Sequence, residues 1–150
     1  MGKGIVVCVD PRAAEAGAQV LESGGNAFDA AVAVAFTQAV VLPFSCGLGG
    51  FMSANLWAAG TGEQRIVDGC LRAGAGVSSD MWAADHRGEA AFSGSSQFDD
   101  HRSEYGYTSI CTPGTVAALS TVFDGYCTMP WTGLLQPAID IARKGYPVVP

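Results

Sequence analysis

Hydrophobic positions along the chain fall into blocks whose period changes, and the changes mark the elements. Gly4–Val9 is β-branched and apolar and predicts a buried strand. Asp10-Pro11 follows, an N-cap acid with proline at the first helical position, so a helix begins there and runs to about Ser23. Gly24 and Gly25 stand where a left-handed C-terminal cap needs a residue without Cβ. Asn26 then occupies the N-cap of a second helix. Asp29, three positions on, is placed to accept from free backbone N–H groups at the positive end of the helix dipole. This second helix, Ala27 to Leu42, is apolar nearly all round, which marks burial on several sides, and Pro43 stops it.

Beyond the loop Phe44-Ser-Cys-Gly-Leu-Gly-Gly the pattern predicts a hairpin. Phe51–Trp57 is one strand, Ala58–Gln64 the turn and Arg65–Asp68 the returning strand. Asp80-Met-Trp-Ala-Ala predicts a short helix. From Asp85 to Tyr105 the chain is polar and reads as an irregular surface excursion. Tyr107–Cys111 predicts a further strand, and Thr112-Pro113-Gly114 opens a helix over Thr115–Phe123. Trp131–Lys144 carries Leu134, Leu135, Ala138, Ile139 and Ala142 at helical spacing. Pro137 is the place for a kink, and Gly145 ends the helix after Arg143-Lys144. The fold class is mixed α/β.

Composition narrows the function more than the fold. With 150 residues, 49% apolar and 15% charged, the chain is long and apolar enough for one domain with a sizeable core. Fourteen acids against eight bases give a net charge of −6, which argues against nucleic acid as a partner. The most apolar run, Ala30–Phe36, is too short to span a bilayer, and its helix carries Asp29, Thr37 and Gln38. The cysteines Cys8, Cys46, Cys70, Cys111 and Cys127 are odd in number without a Cys-x-x-Cys pair, so they read as reduced thiols. The start Met-Gly-Lys-Gly lacks a signal-peptide core, and Gly2 lacks the Ser or Thr of a myristoylation motif. A cytoplasmic location is expected if Met1 is the true start.

Generic chemical signals are sparse. Gly47-Leu-Gly49-Gly50 falls short of a dinucleotide fingerprint: its third glycine position is Met52, a helix precedes it and a strand follows. A packing loop is the expectation. The two histidines, His86 and His101, lie in the polar excursion with Asp99, Asp100 and Glu104. Nothing fixes a triad geometry there, no nucleophile elbow appears, and a solvated loop fits better than a metal site. These residues receive no function. Arg72 stands out, since its planar fork suits a carboxylate and bases are few, although a surface ion pair is the blander role.

Four separated segments, in order, resemble the γ-glutamyltransferase (glutathione hydrolase) family. They are Gly4–Val9 with the paired helices and their Leu21-x-x-Gly-Gly-Asn-Ala-x-Asp-Ala-Ala block; Val40-Val-Leu-Pro43 with the Ser45-Cys-Gly-Leu-Gly-Gly loop; Asp68–Met81; and Thr112-Pro-Gly-Thr-Val-Ala-Ala-Leu119 through Gly145-Tyr-Pro-Val148. Together they cover nearly the whole chain except about residues 85–106. The resemblance implies part of an N-terminal-nucleophile hydrolase, an αββα four-layer sandwich, incomplete here. Residues 1–150 would form one partial domain at the front of the large subunit.

Family members cleave themselves, and the new N-terminal threonine of the small subunit attacks the γ-glutamyl amide of glutathione or a similar donor, with its own amine as base. Water or an amino acid then takes the acyl group. That threonine sits in a Thr-Thr-His-type motif that this sequence lacks. No catalytic residue is expected in the chain, and Thr112, Thr115 and Thr121 belong to the helix start. The implied partner is the segment carrying the nucleophile, the implied ligand is a small γ-glutamyl donor, and neither cofactor nor metal is implied.

The family's carboxylate-binding arginine occurs as Arg-x-x-Ala-Pro. Aligning Ala73-Gly74 with that Ala-Pro puts Cys70 at the arginine position and Arg72 two residues later. Arg72 therefore becomes the substrate-binding candidate in a shifted register. An acylase with another amide donor, or a non-catalytic, degenerate scaffold of the same fold, also fits this departure.

Overall fold

The computed structural model describes residues 4–148, which divide into two compact units: residues 4–70 with 113–148, and Leu71–Thr112.

The first unit is a helical layer on a hairpin. Helix α1 (Pro11–Glu22) begins as its sequence demands, with the Asp10 carboxylate accepting from the Arg12 N–H and Pro11 in the first turn. It ends at Ser23, and Gly24 takes the left-handed conformation at φ 93°. Gly25 serves a different purpose. A Cβ there would lie 2.6 Å from Met129 Sδ and 2.7 Å from Val20 Cγ1, so close packing excludes a side chain.

Helix α2 (Ala27–Val41) follows at once. Its capping box is complete: the Asn26 side chain accepts from the Phe28 and Asp29 N–H groups, and Asp29 accepts from the Asn26 N–H. An all-round apolar helix needs cover on several sides, and α2 packs against α1 and against two later helices, α3 (Thr115–Tyr126) and α4 (Trp131–Lys144). Val32, Phe36, Leu119, Val122 and Leu134 fill the centre. The Trp131 ring meets Phe36 and Phe123 edge-on at 5.3 and 4.9 Å. Helix α4 runs unbroken through Pro137 to Lys144, and Gly145 turns the chain at φ 74°.

Strands β1 (Met52–Ala58) and β2 (Glu63–Gly69) form the predicted antiparallel hairpin, in register from Met52↔Gly69 to Ala58↔Glu63. Leu56 is buried, and Met52, Ala54 and Val67 pack with it against the helical core. Period-2 alternation puts Trp57 and Ile66 on the exposed face.

Three expectations need correction. Gly4–Val9 is extended but pairs with no strand among the described residues. Its inward side chains alternate correctly, with Val6 and Cys8 half-buried, while Ile5 and Val7 are 88% exposed and Val9 81%. Apolarity reported the strand-like backbone and could not supply a neighbour for it. Asp80-Met-Trp-Ala-Ala is a turn leading into one turn of 3-10 helix, Ala83–Asp85. Tyr107–Cys111 is likewise no strand, since Tyr107–Ser109 is a 3-10 turn entered through Gly106 at φ 88°.

The Leu71–Thr112 unit has more order than its polar composition suggested. Strands β3 (His86–Glu89) and β4 (Ser96–Phe98) pair antiparallel, with His86 opposite Phe98 and Glu89 opposite Ser96. Gly94 makes the turn at φ 67°. Phe98 packs its ring between Trp82 at 5.3 Å and His86 at 5.6 Å. The ends of the unit are tied by backbone bonds, Arg72 N–H to Thr112 O at 3.3 Å and Thr112 N–H to Arg72 O at 2.8 Å.

Candidate functional site

Strand β2 leads to the residues singled out for substrate binding, and glycines fix where it ends. A Cβ on Gly114 would sit 2.1 Å from Gly69 O and 3.0 Å from Cys70 O, and one on Gly69 would meet Ala118 Cβ at 2.6 Å. The end of β2 therefore crosses the start of α3 backbone against backbone. The same helix start is held by the glycine-rich loop. Gly50 O accepts from the Gly114 and Thr115 N–H groups at 3.0 and 3.3 Å, which replaces the side-chain cap α3 lacks. Gly47 and Gly49 have open space where a Cβ would point. The loop thus caps α3 through Gly50 and is otherwise largely exposed, so the packing role read from the sequence is not what it performs.

At Cys70 the Asp68 carboxylate accepts from the Cys70 N–H at 3.0 Å. The same carboxylate, as hydrogen-bond acceptor and as a charge, pushes the exposed Cys70 thiol above its ordinary range. Within its own unit, Arg72 is exposed, and its guanidinium enters none of the ion pairs among the described residues. Its backbone is fixed on both sides by Thr112, so the side chain projects from an anchored position.

Most of the residues given no function in the sequence are engaged locally. Thr112 serves that bridge through its backbone, and the Thr121 hydroxyl donates to Ala117 O inside α3 at 3.0 Å. The Thr115 hydroxyl is buried without a hydrogen-bond partner among the described residues. Asp99 pairs with Arg87, and His101 Nδ1 lies 3.4 Å from Glu104. The side chain of Asp100 lies outside the described residues. Among the described residues no three His, Cys, Asp or Glu side chains gather as a metal site, and no helix is long and apolar enough to cross a membrane.

Sequence reasoning gave Asp29 one role and missed the larger one. Besides the Asn26 N–H, the Asp29 carboxylate accepts from the Thr128 N–H at 2.9 Å, the Thr128 hydroxyl at 2.8 Å and the Met129 N–H at 3.0 Å. Burial pushes its pKa up, and the bonds from Asn26, Met129 and Thr128 outweigh burial, so the net shift is downward. Cys127 beside it is driven up to about 12 by burial first and by the Asp29 charge second. No local spacing could signal a partner 99 residues away.

A profile of the gamma-glutamyltranspeptidase family matches residues 13–150. The chain belongs to the gamma-glutamyltranspeptidase family. The glutathione hydrolase proenzyme of Bacillus subtilis strain 168 is 35% identical over 97% of this chain and 23% of its own length. The acylase ACY 1 proenzyme of Pseudomonas sp. strain V22 is 33% identical over 99% of the chain and 26% of its own. The crystal structure of Helicobacter pylori gamma-glutamyltranspeptidase superposes with a TM-score of 0.82 at 34% identity, covering 97% of this chain and 39% of that one. The chain spans about a quarter of the length of the curated relatives it matches. Its mixed α/β architecture is a portion of the N-terminal-nucleophile hydrolase fold, as the resemblance implied.

Proposed function

We propose that the chain is the front portion of the large subunit of a γ-glutamyl-transferring proenzyme. In this reading the complete protein hydrolyses or transfers the γ-glutamyl group of glutathione or a related amide. The attacking threonine comes from a partner segment, since no Thr-Thr-His motif occurs in the sequence. The observation that carries the reading is the family match across residues 13–150, which includes the β2–Arg72 region.

Arg72 is the residue we assign to the donor's α-carboxylate. Its guanidinium is exposed, without an acidic partner among the described residues, on a backbone pinned at both N–H and C=O. Cys70, at the position of the family arginine, offers neither a positive charge nor an activated thiolate. A second reading, an amide acylase with a different donor, draws support from the acylase relative that matches 99% of the chain and from the cysteine at this position.

Production of the complete protein tests the proposal. The expected result is two polypeptides from one precursor, the smaller beginning with threonine, and release of glutamate from a γ-glutamyl anilide. An uncleaved, inactive protein would contradict it. Cleavage with turnover of other anilides, but no glutamate release, would favour the acylase reading.

A further inference from the structure

The Leu71–Thr112 unit contains a cavity of about 640 Å³ that no step above uses. Small-molecule sites fall at roughly 300–1,000 Å³ and combine apolar walls with a few placed polar groups. Trp82, His86 and Phe98 form one wall, their rings tilted against one another at 5.3 and 5.6 Å. Ser78, Ser79, Ser103, Thr108 and Ser109 supply hydroxyls.

Two features define what would fit. No Asp, Glu, Lys or Arg lines the cavity, and the nearby charges Arg87–Asp99 and Arg102–Asp85 are paired with each other. A charged ligand would find no Asp, Glu, Lys or Arg counter-charge in that lining. Three of the five hydroxyl hydrogens are also committed within the unit. Ser78 donates to Asp80 at 2.7 Å, Thr108 to Arg102 O at 3.0 Å and Ser109 to Gly106 O at 2.8 Å. Each of these three hydroxyls offers the cavity a lone pair, which an N–H on the ligand would meet.

We propose that this cavity is a binding site for an uncharged aromatic ring bearing an N–H donor. Resting on the γ-glutamyl-transfer reading, the ring belongs either to the arylamine that leaves the donor amide or to an arylamine that accepts the acyl group. An arylamine is neutral at pH 7 and brings both the ring face and the N–H. The zwitterionic γ-glutamyl group matches neither feature.

The test titrates the complete protein with 4-methylaniline, followed by calorimetry and ligand-observed NMR. Saturable one-site binding is expected, with cyclohexylamine, a cation at neutral pH, failing to compete. Phe98→Leu keeps an apolar side chain but removes the ring, and should weaken binding about 3- to 10-fold. Ser109→Ala should also weaken it, and Arg72→Ala should leave it unchanged. In the active protein, Phe98→Leu should lower kcat/KM for a γ-glutamyl 4-methylanilide relative to the methylamide if the ring is the leaving group. It should lower transfer to 4-methylaniline relative to glycine amide if the ring is the acceptor. Absence of saturable binding, or binding indifferent to both Phe98→Leu and Ser109→Ala, overturns the proposal. Intact 4-methylaniline binding in a protein that releases no glutamate would sink the γ-glutamyl reading and leave the site standing.

Discussion

Asp29 has a fully buried carboxylate that accepts hydrogen bonds from Asn26, Met129 and twice from Thr128. Those donors come from the start of α2 and from the link between α3 and α4, so one side chain fixes three helices. Because its folded pKa lies below the ordinary 3.8, the stabilisation is present above that value and is lost as pH falls through the folded pKa. Denaturation of the complete protein at stepped pH should show stability dropping below about pH 4. Asp29→Asn puts an amide N–H₂ against donors and should cost about 2–4 kcal/mol at pH 7 while flattening that acid limb. An unchanged acid limb in the variant would remove Asp29 from the role. At Cys70 the sign is opposite, since Asp68 raises the thiol pKa and keeps it protonated. Alkylation of Cys70 at pH 8 should therefore speed up several-fold in Asp68→Asn, as mass spectrometry of the modified peptide would read; equal rates would mean Asp68 does not control the thiol.

Among the elements, the contact that sets the start of α3 is the crossing of Gly69 and Gly114. Gly114→Ala would bring a Cβ to 2.1 Å from a backbone oxygen, which only a shift of β2 or α3 relieves. A loss of about 2–3 kcal/mol or more is expected by urea denaturation. Gly47→Ala, which points into open space, should stay within about 0.5 kcal/mol of the parent. Similar losses for the two would mean the crossing carries no special weight. The caps, the α1–α2 turn, the hairpin and both later helices were legible because each is dictated within a few residues. Asp10-Pro11, Gly24 and the Asn26–Asp29 box need only their own backbone. What escaped was non-local: Thr128 and Met129 reaching Asp29, and Phe98 inserting between Trp82 and His86. The strand read at Gly4–Val9 failed for the related reason that pairing needs a neighbour. The candidate site rests on the family resemblance alone, since an exposed arginine and an exposed cysteine carry no pattern of their own.

Taken as a whole molecule, the chain presents apolar surface that a finished fold would cover. Ile5, Val7 and Val9 stand exposed on an extended segment that pairs with no strand among the described residues, and Phe44 and Phe51 flank the glycine-rich loop. Residues 1–150 produced alone should self-associate at micromolar concentration in sedimentation experiments, and Val7→Lys should reduce this. A monomer with a sharp cooperative melt would speak against that view. For the whole protein we propose that this segment supplies Arg72 to hold the γ-glutamyl carboxylate. The most direct measurement compares kcat/KM of the complete protein for a γ-glutamyl anilide and for the γ-aminobutyryl anilide, which lacks only that carboxylate. Arg72→Ala should lower the first by about 2 kcal/mol or more in transition-state binding, roughly 30-fold, and leave the second within about twofold. Equal effects on both substrates, or none on either, would contradict it.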